Sequence, residues 1–184
     1  MNEQYFLDES LSQLRKLKEL ADKALAQIGD DDLFKVLDPE SNSLALIMKH
    51  MAGNMRSRWT DFLTSDGEKP DRNRDGEFDL DADDSAQAVK AAWEAGWALA
   101  LRTVASLTPE DLDRTIRIRG EAHTVTQAIY RQITHYAGHT GQIVLLAKHY
   151  AGPRWRALTI PRGQSKNVHP STTGPGSRTL PGAT

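Results

Sequence analysis

Apolar residues recur at three- and four-residue steps in four stretches of the chain, the pattern of helices that each bury one face. The first runs from about Glu3 to Ile28, with Phe6, Leu7, Leu11, Leu14, Leu17, Leu20, Ala21, Ala24 and Leu25 on the apolar side. Gly29 and the run Asp30-Asp31-Asp32 end it. The second opens at Asn42 or Ser43, both good N-cap residues, and continues to about Phe62. The third spans about Ser85 to Ser106, behind an acidic stretch from Asp79 to Asp84 whose charge suits a helix N-terminus. The fourth opens at Thr124, with Gln127 in capping-box spacing, and runs to about Tyr150, where Gly152-Pro153 stops it. Between the last two, Thr115 to Arg119 alternates apolar and basic residues and then meets Gly120, which predicts a small β-hairpin over about Thr115 to Thr124. The fold class expected is all-α, an up-down four-helix bundle with that hairpin between helices 3 and 4. Residues 1–152 form the bundle in this reading, and 153–184 a partly docked, Gly/Pro-rich tail. Trp155, Leu158 and Ile160 would pin its start, and the stretch from Gly174 to Thr184 has the composition of a mobile end.

A length of 184 residues is enough for one domain with a real core, and 39% hydrophobic with 26% charged residues reads as soluble and globular. The formal net charge of -2 speaks against a general nucleic-acid binder. With no cysteine in the chain, disulfides, thiolate ligands and cysteine nucleophiles are excluded, and a transition metal would have to use His, Asp or Glu. The polar opening Met1-Asn2-Glu3-Gln4 and the absence of an apolar run of roughly 20 residues predict a cytoplasmic protein without a membrane partner.

The histidines carry the candidate chemistry. His135 and His139 stand four residues apart, about 40° of rotation and 6 Å of rise along a helix, so both imidazoles can reach one ion. On a helical wheel Val125, Ile129, Gln132, Tyr136, Ile143 and Ala147 define the inward arc; His139 falls inside it and His135 at its border. In the second helix Leu44, Ile47, Met51, Met55 and Phe62 point inward, and His50 flanks them at the head of a polar line with Asn54 and Arg58. A His-x-x-x-His pair also occurs as surface or half-buried histidine with no ion, so the pair alone does not decide the matter. His123 in the hairpin, His149 on the polar side of helix 4 and His169 in the tail are weaker candidates.

The segment His135-Tyr-Ala-Gly-His139-Thr-Gly141-Gln142-Ile143 resembles the helix-four signature of the DinB-like superfamily, named for DNA-damage-inducible proteins. His50 in Ile47-Met-Lys-His50-Met-Ala-Gly53-Asn54 matches the helix-two histidine of that superfamily. The stretch from Arg58 through Lys69-Pro70 to Phe78 is similar to one branch whose function is not established, and the resemblance covers about residues 1–165. It implies a DinB-like bundle with a divalent ion, zinc or nickel, on His50, His135 and His139, and a homodimer. It also implies a small-molecule substrate and chemistry with a low-molecular-weight thiol. An ion on three neutral imidazoles keeps open positions and its full charge, which suits a thiol-dependent transferase or a hydrolase. Asn54, Arg58 and Gln142 are the candidate catalytic helpers, as outer partners of the histidines or as substrate contacts. The two amides can equally serve to satisfy buried polar neighbours, and Arg58 can pair with Asp61 or Asp66. The competing function is a non-catalytic metal-binding or interaction protein that dimerises through the bundle. Trp93 and Trp97 are either part of such an interface or part of the core.

One further pattern is a partial match. Asp71-Arg-Asn73-Arg-Asp75-Gly76-Glu77-Phe-Asp79 copies the opening of an EF-hand loop, but Ala82 stands where the bidentate Glu belongs. Arg72 and Arg74 are read as solvated surface charges or, alternatively, as substrate-facing cations.

Overall fold

The computed structural model describes residues 2–81, 83–164 and 166. Each of the four long helices begins at a side chain that accepts a backbone N–H the helix cannot satisfy. Helix α1, Glu3–Leu25, starts at Asn2, which accepts from Tyr5. Helix α2, Leu44–Trp59, starts at Ser43, and α3, Ala86–Ala105, at Ser85. Helix α4, Val125–Ala151, has the full capping box: Thr124 Oγ1 accepts from Gln127 N, and Gln127 Oε1 accepts from Thr124 N. Two helices end sooner than their apolar pattern. In α2 the chain turns at Asp61, whose φ of 47° lies in the left-handed region. Phe62 therefore keeps its inward place from the following link, packed on Trp59 at a ring separation of 4.8 Å.

Helix α1 packs on α4 and α3, and α2 packs on α3 and α4. Around the bundle the order is thus α1, α4, α2, α3, and the consecutive pairs α1/α2 and α3/α4 face each other across it. This arrangement sets α2 beside α4 and so brings the histidine-bearing helices together. The core is centred on Trp59, Trp93, Trp97 and Tyr136, all under 2% exposed or close to it. Trp93 and Trp97 are therefore core residues and not an interface patch. At Gly96 a Cβ would lie 3.2 Å from Ala52 Cα, so a glycine there lets α3 approach α2 closely.

The link between α3 and α4 carries the hairpin: β1, Thr115–Ile118, pairs antiparallel with β2, Glu121–Thr124, Ile118 opposite Glu121. The turn is Arg119-Gly120, both with positive φ, 57° and 77°, as a tight two-residue hairpin requires. Asp66, from the α2–α3 link, accepts from the backbone N–H of both turn residues at 2.8 Å. Gly67 N donates to Arg117 O at 2.8 Å, so the hairpin tip is fastened to that link.

Trp155 and Leu158 pack against the core after α4, whereas Ile160 is half exposed and does not anchor the chain there. His169, the stretch from Gly174 to Thr184 and Ala82 lie outside the described residues. No described helix is long and apolar enough to cross a membrane.

Candidate metal centre

His50 sits in the middle of α2, buried, while His135 and His139 are half-buried on the adjacent face of α4. One ring nitrogen from each lies within 4.8 Å of the others. His135 Nε2 is 3.3 Å from His50 Nε2 and 3.0 Å from His139 Nε2. Among the described residues these three histidines are the one group of side chains placed to hold a metal ion.

The outer nitrogens show which lone pairs face inward. His50 Nδ1 is 2.9 Å from Glu77 Oε2, and His139 Nδ1 is 2.7 Å from Gln142 Oε1. Carboxylate and amide oxygens only accept, so both Nδ1 atoms carry the proton, and in the neutral ring the Nε2 atom opposite is a bare acceptor. His135 Nε2 then faces two acceptors and can donate to at most one of them. A cation resolves the conflict, since it takes all three lone pairs at once. The two separations from His135, 3.3 and 3.0 Å, fit: nitrogens about 2.1 Å from a common ion stand about 3.0 Å apart at a right angle and about 3.4 Å apart at the tetrahedral angle. Burial, followed by the neighbouring His139 and His50, pushes the His135 ring down to about 3. Burial also lowers His139, against the opposing effect of its bond to Gln142. Both rings are thus held in the neutral form that a metal needs.

Glu77 is the outer partner that the pattern of apolar and polar residues does not reveal. It lies in a short 3-10 turn, Asp75–Phe78, of the α2–α3 link, and is buried. Arg72 Nε donates to its Oε1 at 2.7 Å and Arg72 Nη2 to its Oε2 at 2.8 Å. Burial works to raise the Glu77 carboxyl, but the bonds from Arg72 and His50 prevail and hold it below the usual range. Phe78 stacks on His50, ring centres 4.6 Å apart. Gly53, one turn along α2 from His50, makes room for this partner: a Cβ there would overlap Glu77 Oε1 and stand 2.8 Å from Glu77 Cδ.

Gln142 bonds His139, although the wheel sets it nearer His135. Asn54 bonds no histidine; its Oδ1 accepts from Tyr136 Oη at 3.2 Å, and Trp59 Nε1 donates to the same hydroxyl at 2.9 Å. Arg58 is buried and donates to Gly67 O and to Glu68 Oε2, so its acidic partner is Glu68, not Asp61 or Asp66. Arg72 is not a solvated surface charge: only 2% of its side chain is exposed. The calcium-loop match dissolves as well. Glu77 serves Arg72 and His50, Asp71 faces Arg56 at 3.5 Å, and Asn73 Oδ1 accepts from Gly76 N at 3.0 Å. His123 lies in β2 near Glu121, and His149 is exposed near the end of α4; neither joins the cluster.

No curated protein and no solved structure matches the chain. Residues 2–164, which carry every element of the bundle and all three histidines, match the family described as Protein of unknown function (DUF1572), and the chain belongs to that family.

Proposed function

We propose that this protein is a cytoplasmic metal-dependent enzyme of DinB-like type. His50, His135 and His139 would hold one divalent transition metal, zinc or nickel. The observation that carries this reading is the convergence of three ring nitrogens, at least two of them with the bare lone pair turned inward. An ion there would supply Lewis acidity and a means of making a nucleophile from water or a thiol near neutral pH. The chain's own residues do the rest. Glu77 and Gln142 fix the tautomers of His50 and His139 and aim their rings. Phe78 covers one face of His50 and excludes water from it. Arg58, bent back onto Gly67 O and Glu68, and Asn54, held by Tyr136, border the cleft that opens beside His50 and His135.

Since the chain has no cysteine, a thiol nucleophile would arrive as a cosubstrate, which gives a thiol-dependent transferase; water in its place gives a hydrolase. A cleft adjoining the cluster favours either over a non-catalytic metal protein. The homodimer belongs to the same reading, and light scattering at micromolar concentration checks it.

The test begins with metal content after purification without a chelating tag. One equivalent is expected in the wild type and in His123→Ala and His149→Ala, with a sharp loss in His50→Ala, His135→Ala and His139→Ala. Electrophile turnover is then assayed with and without small thiols. Equal metal retention in all five variants would sink the ligand set. Turnover unchanged in His139→Ala would remove the metal from the reaction, and turnover indifferent to every thiol would select the hydrolase.

A further inference from the structure

Five arginines meet on the walls of one small cleft beside the histidine cluster. The cleft has a volume of about 340 Å³, and Arg58, Arg72, Arg74, Arg119 and Arg131 line it together with His50 and His135. They come from separate parts of the chain: α2, the α2–α3 link, the hairpin turn and α4. Such a gathering runs against the average, since the whole chain carries a net charge of -2.

Three carboxylates neutralise part of this charge, among them Asp66, which is held on the backbone of Arg119 and Gly120. Glu68 accepts from Arg58 at 3.0 Å, Arg72 at 3.3 Å and Arg119 at 3.2 Å. Glu77 is taken by Arg72 and His50. Among the described residues, Arg74 and Arg131 have no acidic partner within salt-bridge distance, and the buried Nε of Arg58 has no acceptor. Five positive charges against three negative leave two uncompensated at one small cavity, before any metal is counted. Arg58, Arg72 and Arg119 are held in place by their carboxylates, while Arg74 and Arg131 are exposed at the rim; guanidinium groups match the oxygens of carboxylates and phosphates in forked geometry.

We infer that this cleft is an anion subsite: it takes a small molecule bearing carboxylate or phosphate groups and sets its remaining part toward His50 and His135. Arg74, Arg119 and Arg131 are the binding residues, and Arg72, committed to Glu77 and Glu68, is part of the frame. The volume suits a small metabolite and lies at the lower end of small-molecule sites. Anion binding itself needs no metal; only the claim that the ligand is a substrate rests on the metal-dependent reading above.

The experiment is calorimetric titration of inorganic phosphate and of malonate into protein stripped of metal, with the chelator dialysed away. Saturable binding of at least one anion is expected, weakened ten-fold or more in Arg74→Ala/Arg131→Ala. The Arg15→Ala/Lys16→Ala variant, which loses the same charge on exposed α1, should bind as the wild type does. Phosphate binding alone assigns a phosphate ligand, and malonate binding alone a carboxylate. No saturable binding of either anion, or equal weakening in both double variants, overturns the subsite. Metal titration of the same samples separates the two ideas: intact metal binding with no anion binding rejects the subsite alone, and the reverse rejects the metal centre alone.

Discussion

His50 differs from the other two histidines in what holds its far nitrogen. His139 is oriented by a neutral amide on its own helix, whereas His50 is oriented by a carboxylate that Arg72 in turn grips with two bonds. A carboxylate partner raises the basicity of a ligating imidazole, and removing such a partner typically costs about 10–100-fold in metal affinity. Gly53 offers a way to disturb this without touching a ligand. In Gly53→Ala the new methyl would overlap the Glu77 carboxylate, and the end of that side chain is what must move. Metal affinity should fall by about ten-fold or more, with all three histidines intact. Metal titration of the variant checks this, and an unchanged dissociation constant would show that Glu77 has no part in the centre. At this scale the sequence is informative only where periodicity helps. His50, His135 and His139 stand out because each falls near the inward arc of a helix. Glu77 and Arg72 lie in an irregular link, where no period connects a residue to its neighbours in space. Gln142 is legible as a polar neighbour of the histidines, but the ring it meets, that of His139, is not: the wheel gives direction around the axis and not the tilt of a side chain along it.

The elements were easier to read than their junctions. Helix α4 is announced by its capping box and closed by Gly152, and the observed helix, Val125–Ala151, keeps both marks. The hairpin turn was visible in Gly120, but the clamp that Asp66 places on it joins segments far apart in the chain and leaves no local trace. Helix α2 ends short of its apolar pattern for a related reason: Phe62 keeps the apolar period although the backbone has already turned at Asp61. Because the cap of α4 is local, its loss should be local too. Thr124→Ala removes one N-cap bond, about 1 kcal/mol, which lowers the thermal midpoint by roughly 2–4 °C for a chain of this size. His135 lies about 16 Å further along the helix axis, so metal affinity should be unchanged. Calorimetry paired with metal titration reads both quantities. A variant that loses metal affinity while keeping its midpoint would mean that the cap and the centre are coupled.

On the scale of the whole molecule, the centre is seated on the flank of the core and is not its keystone. The large buried side chains, Trp59, Trp93, Trp97 and Tyr136, pack on one another and on the aliphatic residues of the bundle, and the centre meets this set at its edge, where the His135 ring lies 5.6 Å from that of Tyr136. Each helix also carries its own N-cap. Without an ion, His50 still keeps its bond to Glu77, so the α2–α3 link retains its anchor on α2. The bundle should therefore fold without metal, unlike small zinc domains in which the ion supplies the folding energy. Metal should nevertheless stabilise it, because the three nitrogens converge only in the folded chain. At a free metal concentration 100 times the dissociation constant, linkage gives about 2.7 kcal/mol, a rise of several degrees in the thermal midpoint. The helical circular dichroism of the stripped protein should match that of the loaded protein at 25 °C. In His135→Ala the midpoint should no longer respond to metal. Loss of the helical signal on stripping would mean that the ion, and not the aromatic core, holds the four helices together. A midpoint that rises equally in His135→Ala would mean that the stabilising ion binds somewhere other than this centre.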